Sequence, residues 1–340
     1  MHDFFWGCTV AGKRFMRSDS TRMEIKILFH DNCFDGAASA AVFSRFHAER
    51  IRPGAMQSYQ GLSHGAGGQP IDEAVFTGDE NAIVDFRYSQ SDRLTWWFDH
   101  HRSAFQQPGD EEHFRRDRSG RKFHDPTRKS CTKFLTEIAA QRFGFDPQPL
   151  SELIEWAEII DGAQFANPRI AVELAEPALQ LMTVLEANRD PQYIPRIIRE
   201  MQQTSLSKLA AQPHVRAPFE ELRKKHEHTI QLVRQKATLE RDVVFFDLGD
   251  EELLTINKFI SYYLYPEAQY TVWVGRSGQR TKVSIGSNPW NQDGRRHDLA
   301  RIAERYGGGG HPVVAAISFP AGELERARTA AAEIAAELRS

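Results

Sequence analysis

The sequence predicts an α/β fold, and four observations lead there. Residues 25–29 (IKILF) form a short β-branched and aromatic run of the kind that makes a buried strand. That run ends in a polar stretch, HDNCFDG, followed by small and apolar residues at helical spacing, GAASAAVFSRFHAER. Two more apolar runs, 81–86 (NAIVDF) and 94–98 (LTWWF), pass directly into acids or histidines. After about residue 240 a long helical stretch gives way to strand-like runs again. Strand, polar loop and helix open a βαβ unit, so the first part should hold a mostly parallel sheet and the last part a smaller mixed α/β unit.

The elements follow in order. Residues 1–22 show neither strand nor helix period and read as an extension or a misplaced start. The Gly-rich stretch 61–70 reads as loop. Residues 106–129 (QQPGDEEHFRRDRSGRKFHDPTRK) read as a long charged surface loop, whose Arg/Lys cluster is either a solvated face or a phosphate-gripping rim. Helical patterns cover 130–143, 149–160, 170–188, 191–210 and 219–238, the last charged enough to be a connector. Strands follow at 243–248 (VVFFDL), 270–275 (YTVWVG), 282–287 (KVSIGS) and VAAISF. Short helices are expected at 255–264 and 297–306, and a final one at 322–338. The expected organisation is an extension (1–22), a catalytic unit (23–215), a connector helix (216–240) and a substrate-binding unit (241–340).

Bulk properties exclude several classes. A length of 340 residues allows two cores. The formal net charge of -3 gives no global positive field, so a polyanion would need a local patch. Cys8, Cys33 and Cys131 are too few and too scattered for a disulfide framework or a zinc ribbon, and they fit a reducing cytoplasm. No run approaches the roughly 18 to 20 apolar residues of a membrane helix, and the start lacks the basic and apolar regions of a secretory signal.

Chemistry concentrates at strand ends. Ligands of open α/β sheets bind outside the carboxyl ends of the strands. Here the first run ends in His30, Asp31, Cys33 and Asp35, the second in Asp85, and the third in Asp99, His100 and His101. A further acid, Asp161, follows EWAEII and precedes Gly162, where a helix should stop. Any one Asp after a strand is ordinarily a turn residue or helix cap. Acids gathered at one sheet edge repel one another unless a cation neutralises them, so the set as a whole points to divalent metal. Near the other end, the glycines of GGGGH (307–311) let a backbone approach a phosphate or base closely, or form a flexible turn.

The ordered set resembles the DHH phosphoesterase superfamily. An Asp-rich first motif matches HDNCFDG (30–36), an isolated Asp matches Asp85, the name-giving triplet matches Asp99-His100-His101, and a fourth Asp matches Asp161. GGGGH is similar to the Gly-rich histidine motif of the domain that follows in many members, including nanoRNase, oligoribonuclease and bisphosphate-phosphatase-like ones. The likeness spans residues 24–340. It implies one or two divalent ions, Mn²⁺ before Mg²⁺, Zn²⁺ or Fe²⁺, held by His30, Asp31, Asp35, Asp85, His100 and Asp161, with Asp85 shared. Asp99 would orient a histidine, and His101 would contact the scissile phosphate. Gly308, Gly309, Gly310, His311 and Arg276 would hold substrate, with Asn257 and Ser284 nearby.

One departure stands out. Members usually place acids two residues apart in the first motif, and Cys33 stands where Asp is common. Either His30 or Asp31 joins Cys33 in a softer site that favours Zn²⁺ or Fe²⁺, or that site is weakened and its neighbour alone holds metal. The implied activity is hydrolysis of phosphoester bonds in short oligonucleotides or small nucleotide phosphates, with no membrane partner; the resemblance also admits a homodimer. The alternatives are a catalytically weakened nucleotide-binding protein, a polyphosphate or cyclic-dinucleotide hydrolase, and a single-strand exonuclease.

Overall fold

The computed structural model describes residues 23–63, 69–251, 256–277 and 280–340. The expected extension 1–22 therefore lies outside the described residues, as do parts of the 61–70 loop and of the 255–264 helix. The chain runs β1 (Glu24–His30), α1 (Phe34–Phe46), β2 (Met56–Leu62), β3 (Glu80–Val84), β4 (Trp96–Asp99), α2 (Asp110–Arg116), β5 (Lys122–His124) and α3 (Cys131–Phe143). Next come α4 (Ser151–Asp161), α5 (Pro168–Glu173), α6 (Pro177–Ala187), α7 (Tyr193–Met201), α8 (Leu206–Ala210) and α9 (Pro213–Lys236). The last part holds β6 (Thr238–Glu240), β7 (Val243–Leu248), α10 (Ile260–Leu264), β8 (Tyr270–Ser277) and β9 (Arg280–Ser287). It closes with α11 (Leu299–Glu304), β10 (Gly309–His311), β11 (Val314–Pro320) and α12 (Leu324–Leu338).

Two sheets result. The first is wholly parallel, in the order β2-β1-β3-β4-β5. Both of its faces are covered, so its strands alternate between two apolar clusters rather than between core and water. Ile25, Ile27, Phe29, Ala82, Val84, Trp96 and Phe98 face α1 and the helices around it. Leu28, Ile83 and Trp97 face a second cluster with Phe76, Phe86 and Ala104. Burying one such large apolar side chain contributes roughly 1.5–3 kcal/mol. The second sheet is mixed, in the order β10-β11-β9-β8-β7-β6, with β7 and β8 parallel. Its Val272, Val274, Val283 and Ile285 pack under α11 and α12.

The mostly parallel first sheet and the smaller mixed second part match the expected fold class, and five local readings are corrected. Residues 56–62 are a strand, hidden because MQSYQGL sits at the sheet edge and carries few apolar side chains. The charged stretch 106–129 contains α2 and β5; one apolar residue, Phe114, ties α2 to Trp97 with ring centroids 5.2 Å apart. The single pattern at 170–188 is two helices, separated by Leu174 at φ 52 and restarted at Pro177. Likewise 191–210 divides into α7 and α8, and α9 begins at Pro213, six residues before its apolar spacing becomes clear. Among the described residues, no helix is long and apolar enough to cross a membrane.

Candidate metal centre

Four backbone segments deliver acids and histidines to the carboxyl end of the parallel sheet. The first is the β1–α1 turn. Gly36 makes it compact: a Cβ there would stand 2.2 Å from the His30 carbonyl oxygen. Asn32, at φ 53, donates its side-chain amide to the Leu185 and Asn188 carbonyls and so pins the turn to the end of α6. Asp35 follows in the first turn of α1. Its carboxylate accepts the backbone N–H groups of Cys131 (2.6 Å) and Thr132 (3.1 Å), at the start of α3. The acid that could have capped its own helix instead fixes a different one.

Asp85 follows β3 at φ 58, a left-handed backbone that Asp and Asn tolerate better than other non-glycine residues. Its carboxylate points two ways. Oδ2 lies 3.4 Å from His30 Nδ1, and Oδ1 lies 3.4 Å from His100 Nε2 and 3.9 Å from His101 Nδ1. Asp99 ends β4 completely buried. Its Oδ1 accepts from the backbone N–H of His100 (2.8 Å) and from His101 Nδ1 (2.6 Å). The His100 ring is held from behind by the Arg128 carbonyl, 3.1 Å from Nδ1. That contact assigns the proton to Nδ1 and turns Nε2 toward Asp161 (3.3 Å), Asp85 (3.4 Å) and Asp35 (3.8 Å). Asp161, the last residue of α4, completes the group with a side chain 30% exposed.

The donor atoms fall into overlapping triplets: His30, Cys33 and Asp85; Asp85, His100 and His101; and Asp35, His100 and Asp161. Within each triplet they lie within 4.8 Å of one another. Of the expected ligands, Asp31 alone is not brought in. Its carboxyl lies against Gly61 of β2, where a Cβ would meet Cγ at 2.4 Å, and it accepts the Asn32 N–H. Cys33 takes the inward place.

The electrostatics show how strongly the charges of this cluster bear on one another. Burial, with the nearby charges of Asp85 and Asp161, raises Asp35 well above the ordinary carboxylate range. Burial and Asp85 lift Asp161 to about 6. Burial and the charges of Asp85, Asp161 and Asp35 push the Cys33 thiol up in the same way. Burial alone would lower His100, but its contact with Asp85 and the charges of Asp35, Asp85 and Asp161 outweigh that and raise it to about 10. Burial opposes ionisation of Asp85 too, yet the surrounding histidines win and hold it below its usual value. Without a cation, protons must offset the crowded negative charge. Both Asp85 oxygens and His100 Nε2 are buried with no hydrogen-bond partner. Unsatisfied buried groups of this kind are costly unless something binds them. The donor set of carboxylates, imidazoles and one thiol fits a divalent metal.

Beside Asp161 opens a cleft of about 540 Å³ between the segment that follows α4 and the second sheet. Gly162 and Phe165 form one wall; Phe259, Tyr262, Trp273 and Trp290 form an aromatic opposite side; Lys129, Lys258 and Arg295 add cations. Trp290 Nε1 donates to the Phe165 carbonyl at 2.7 Å and ties the walls together. These residues were not singled out by their spacing; the available signal was Trp290 standing alone in a polar turn, SNPWNQDG. Ser284 lines the cleft, whereas Asn257 serves packing by donating to the Ala171 carbonyl. Arg276, Gly309, Gly310 and His311 are exposed and outside the lining, and the half-buried Gly308 is outside it too. Their hairpin still reaches the rim through Val313 and Val314. Within it, a Cβ on Gly308 or Gly310 would meet a β11 carbonyl oxygen at 2.4 Å, so those two glycines are needed for strand pairing itself. The basic cluster divides: Arg115 pairs with Glu111, Arg116 with Glu112, Lys122 with Asp117, and Arg128 with Asp125 and Glu137, whereas Lys129 lines the cleft.

The fold has known counterparts. The pGpG-specific phosphodiesterase PggH from Vibrio cholerae matches 92% of this chain over 99% of its own, with a TM-score of 0.66 at 19% identity. The DHH domain of a protein assigned to a ribosomal-protein family matches with a TM-score of 0.56 at 14% identity, covering 94% of this chain and 87% of that one. RecJ in complex with Mn²⁺, from Thermus thermophilus, gives 0.53 at 13% identity; it covers 94% of this chain, which spans 53% of RecJ. No family model and no curated protein matches the sequence. The chain has the DHH-domain fold. The match to the phosphodiesterase extends across both sheets, as its coverage requires.

Proposed function

We propose that this protein is a divalent-metal-dependent phosphoesterase that hydrolyses short oligonucleotides or small nucleotide phosphates. One observation carries the reading: buried donors from four segments converge on Asp85, whose two oxygens have no hydrogen-bond partner. His30, Asp35, Asp85, His100 and Asp161 would hold the metal, with Asp85 shared between two positions. Bound there, divalent ions supply positive charge to an in-line displacement at phosphorus and make water a better nucleophile at neutral pH. The remaining roles belong to the chain. Asp99 fixes the His101 ring through Nδ1, which leaves Nε2 to meet a phosphate oxygen. Lys258 and Lys129 line the adjoining cleft and attract the substrate's other phosphates, while Phe165, Phe259 and Trp290 offer apolar surface to a base. The hairpin carrying His311 would close the far rim.

A cleft of about 540 Å³ suits one or two nucleotides better than a long strand, and the paired cations of residues 111–128 offer no extended positive track. The name of the Vibrio cholerae counterpart, a linear dinucleotide phosphodiesterase, points the same way by analogy of fold. The test is turnover of pGpG, short RNA, adenosine 3′,5′-bisphosphate, polyphosphate and a long single strand with Mn²⁺, Mg²⁺, Zn²⁺ and Fe²⁺ in turn. Cleavage of the short nucleotides, lost in His100→Ala, is expected. Tight nucleotide binding without turnover under any metal would leave the weakened binding protein as the reading, and a preference for the long strand would favour the exonuclease.

A further inference from the structure

We propose that the thiolate of Cys33, with His30 and Asp85, forms a seat for a borderline-soft divalent cation such as Zn²⁺, Fe²⁺ or Co²⁺, chemically distinct from the oxygen-rich seat beside it. The inference rests on the metal-dependent reading above and goes further, because it assigns different ions to the two halves of the cluster.

Three observations carry it. The donor atoms of His30, Cys33 and Asp85 lie within 4.8 Å of one another, so a small side-chain adjustment brings all three to the bond lengths of roughly 2.0–2.3 Å that one ion requires. Asp85 is 1% exposed, and neither of its oxygens has a hydrogen-bond partner. Cys33 occupies the N-cap position of the 13-residue helix α1, but its thiol makes no capping bond and belongs to no disulfide. A metal ion entering the seat displaces the thiol proton to solvent and takes the thiolate as its ligand. Cys131 is different: it is fully buried, and its thiol donates to the Phe98 carbonyl at 3.3 Å.

The two seats differ in hardness. Asp35, His100 and Asp161 offer two carboxylates and an imidazole, a set that accepts Mn²⁺ or Mg²⁺. Replacing one oxygen donor by sulfur in the other seat favours zinc, iron or cobalt and disfavours manganese and magnesium. Asp85, with one oxygen toward each group, would join a softer ion to a harder one.

The experiment loads metal-stripped full-length protein with Co²⁺ and records its near-ultraviolet absorption, where a thiolate–cobalt bond gives a charge-transfer band. The band is expected in the native protein and in the Cys8→Ser and Cys131→Ala controls, and is expected to vanish in Cys33→Ser and Cys33→Asp. Metal content after equal exposure to Zn²⁺ and Mn²⁺ should show the Zn/Mn ratio falling roughly tenfold or more in Cys33→Asp. In the native protein, Zn²⁺ should protect Cys33 from alkylation, as mapped on its peptide, and this readout needs no variant to fold. Bound cobalt without the band, a band that survives Cys33→Ser, or undiminished alkylation with zinc bound would each overturn the proposal. Those outcomes leave phosphoesterase activity standing, whereas an inactive protein that keeps the band would sink the function and keep the seat. Failure to bind any metal would remove both.

Discussion

Strand β3 carries a buried acid at each end, and the two ends have opposite fates. At the amino end, Glu80 is saturated. Trp96 Nε1 (3.0 Å) and His47 Nε2 (3.2 Å) meet one oxygen, and the Arg52 guanidinium meets the other. Burial works against the Glu80 charge, but these partners outweigh it and lower its pKa. Burial, with the charges of Arg52 and Arg121, lowers His47 despite its contact with Glu80, and Arg52 carries the compensating charge. At the carboxyl end, Asp85 is just as deep but has no hydrogen bond on either oxygen, and two more acids crowd the same histidine. An acid beside a histidine is therefore no metal site by itself. The distinguishing property is a surplus of crowded donors, with no hydrogen bond on either Asp85 oxygen or on His100 Nε2.

That contrast can be broken or sharpened by substitution. Asp85→Asn should reduce turnover by on the order of 10³-fold or more and abolish calorimetric metal binding, with an unchanged circular dichroism spectrum. Asp99→Asn should lower kcat roughly 10- to 100-fold with little change in KM, because it weakens the bond that orients His101. Lys258→Met should raise KM about tenfold with a smaller effect on kcat, as expected for a cleft cation that attracts the substrate's other phosphates. Glu80→Gln should change turnover by less than about twofold while lowering urea-unfolding stability at pH 7 by about 1–3 kcal/mol. The pH dependence gives this last variant its signature. The folded pKa of Glu80 lies below its unfolded value, so its contribution is complete above the ordinary carboxylate range and is lost as pH falls through the folded value. The native and Glu80→Gln unfolding curves should therefore converge toward acid. A Glu80→Gln protein that lost its metal would erase the distinction between the two ends.

Much of the candidate centre is legible in sequence because polar residues directly after apolar runs must emerge at strand ends. Asp85, His100 and Asp35 were placed by that logic, and Asp161 by the helix stop before Gly162. The choice between Asp31 and Cys33 was not legible. It depends on the left-handed turn at Asn32, clamped by carbonyls at residues 185 and 188, which sends one side chain to β2 and the next inward. The edge strand β2 and the helix α2 escaped because each buries too few apolar residues to set a period. The charged cluster was ambiguous for a different reason: whether arginines are free for phosphate depends on acids a turn away, such as Glu111 and Glu112. The cleft's aromatic side comes from segments distant in the chain, which no local pattern joins.

The left-handed backbone of Asp85 bears on how this protein can change over generations. A residue fixed at φ 58 admits Asn and Gly with little strain and penalises β-branched or bulky replacements. The mildest substitution for the fold at this position, Asp to Asn, is also the one that removes the shared carboxylate. Under the proposed function, catalysis and foldability are separable by one atom, and a folded protein without activity lies a single mutational step from the enzyme.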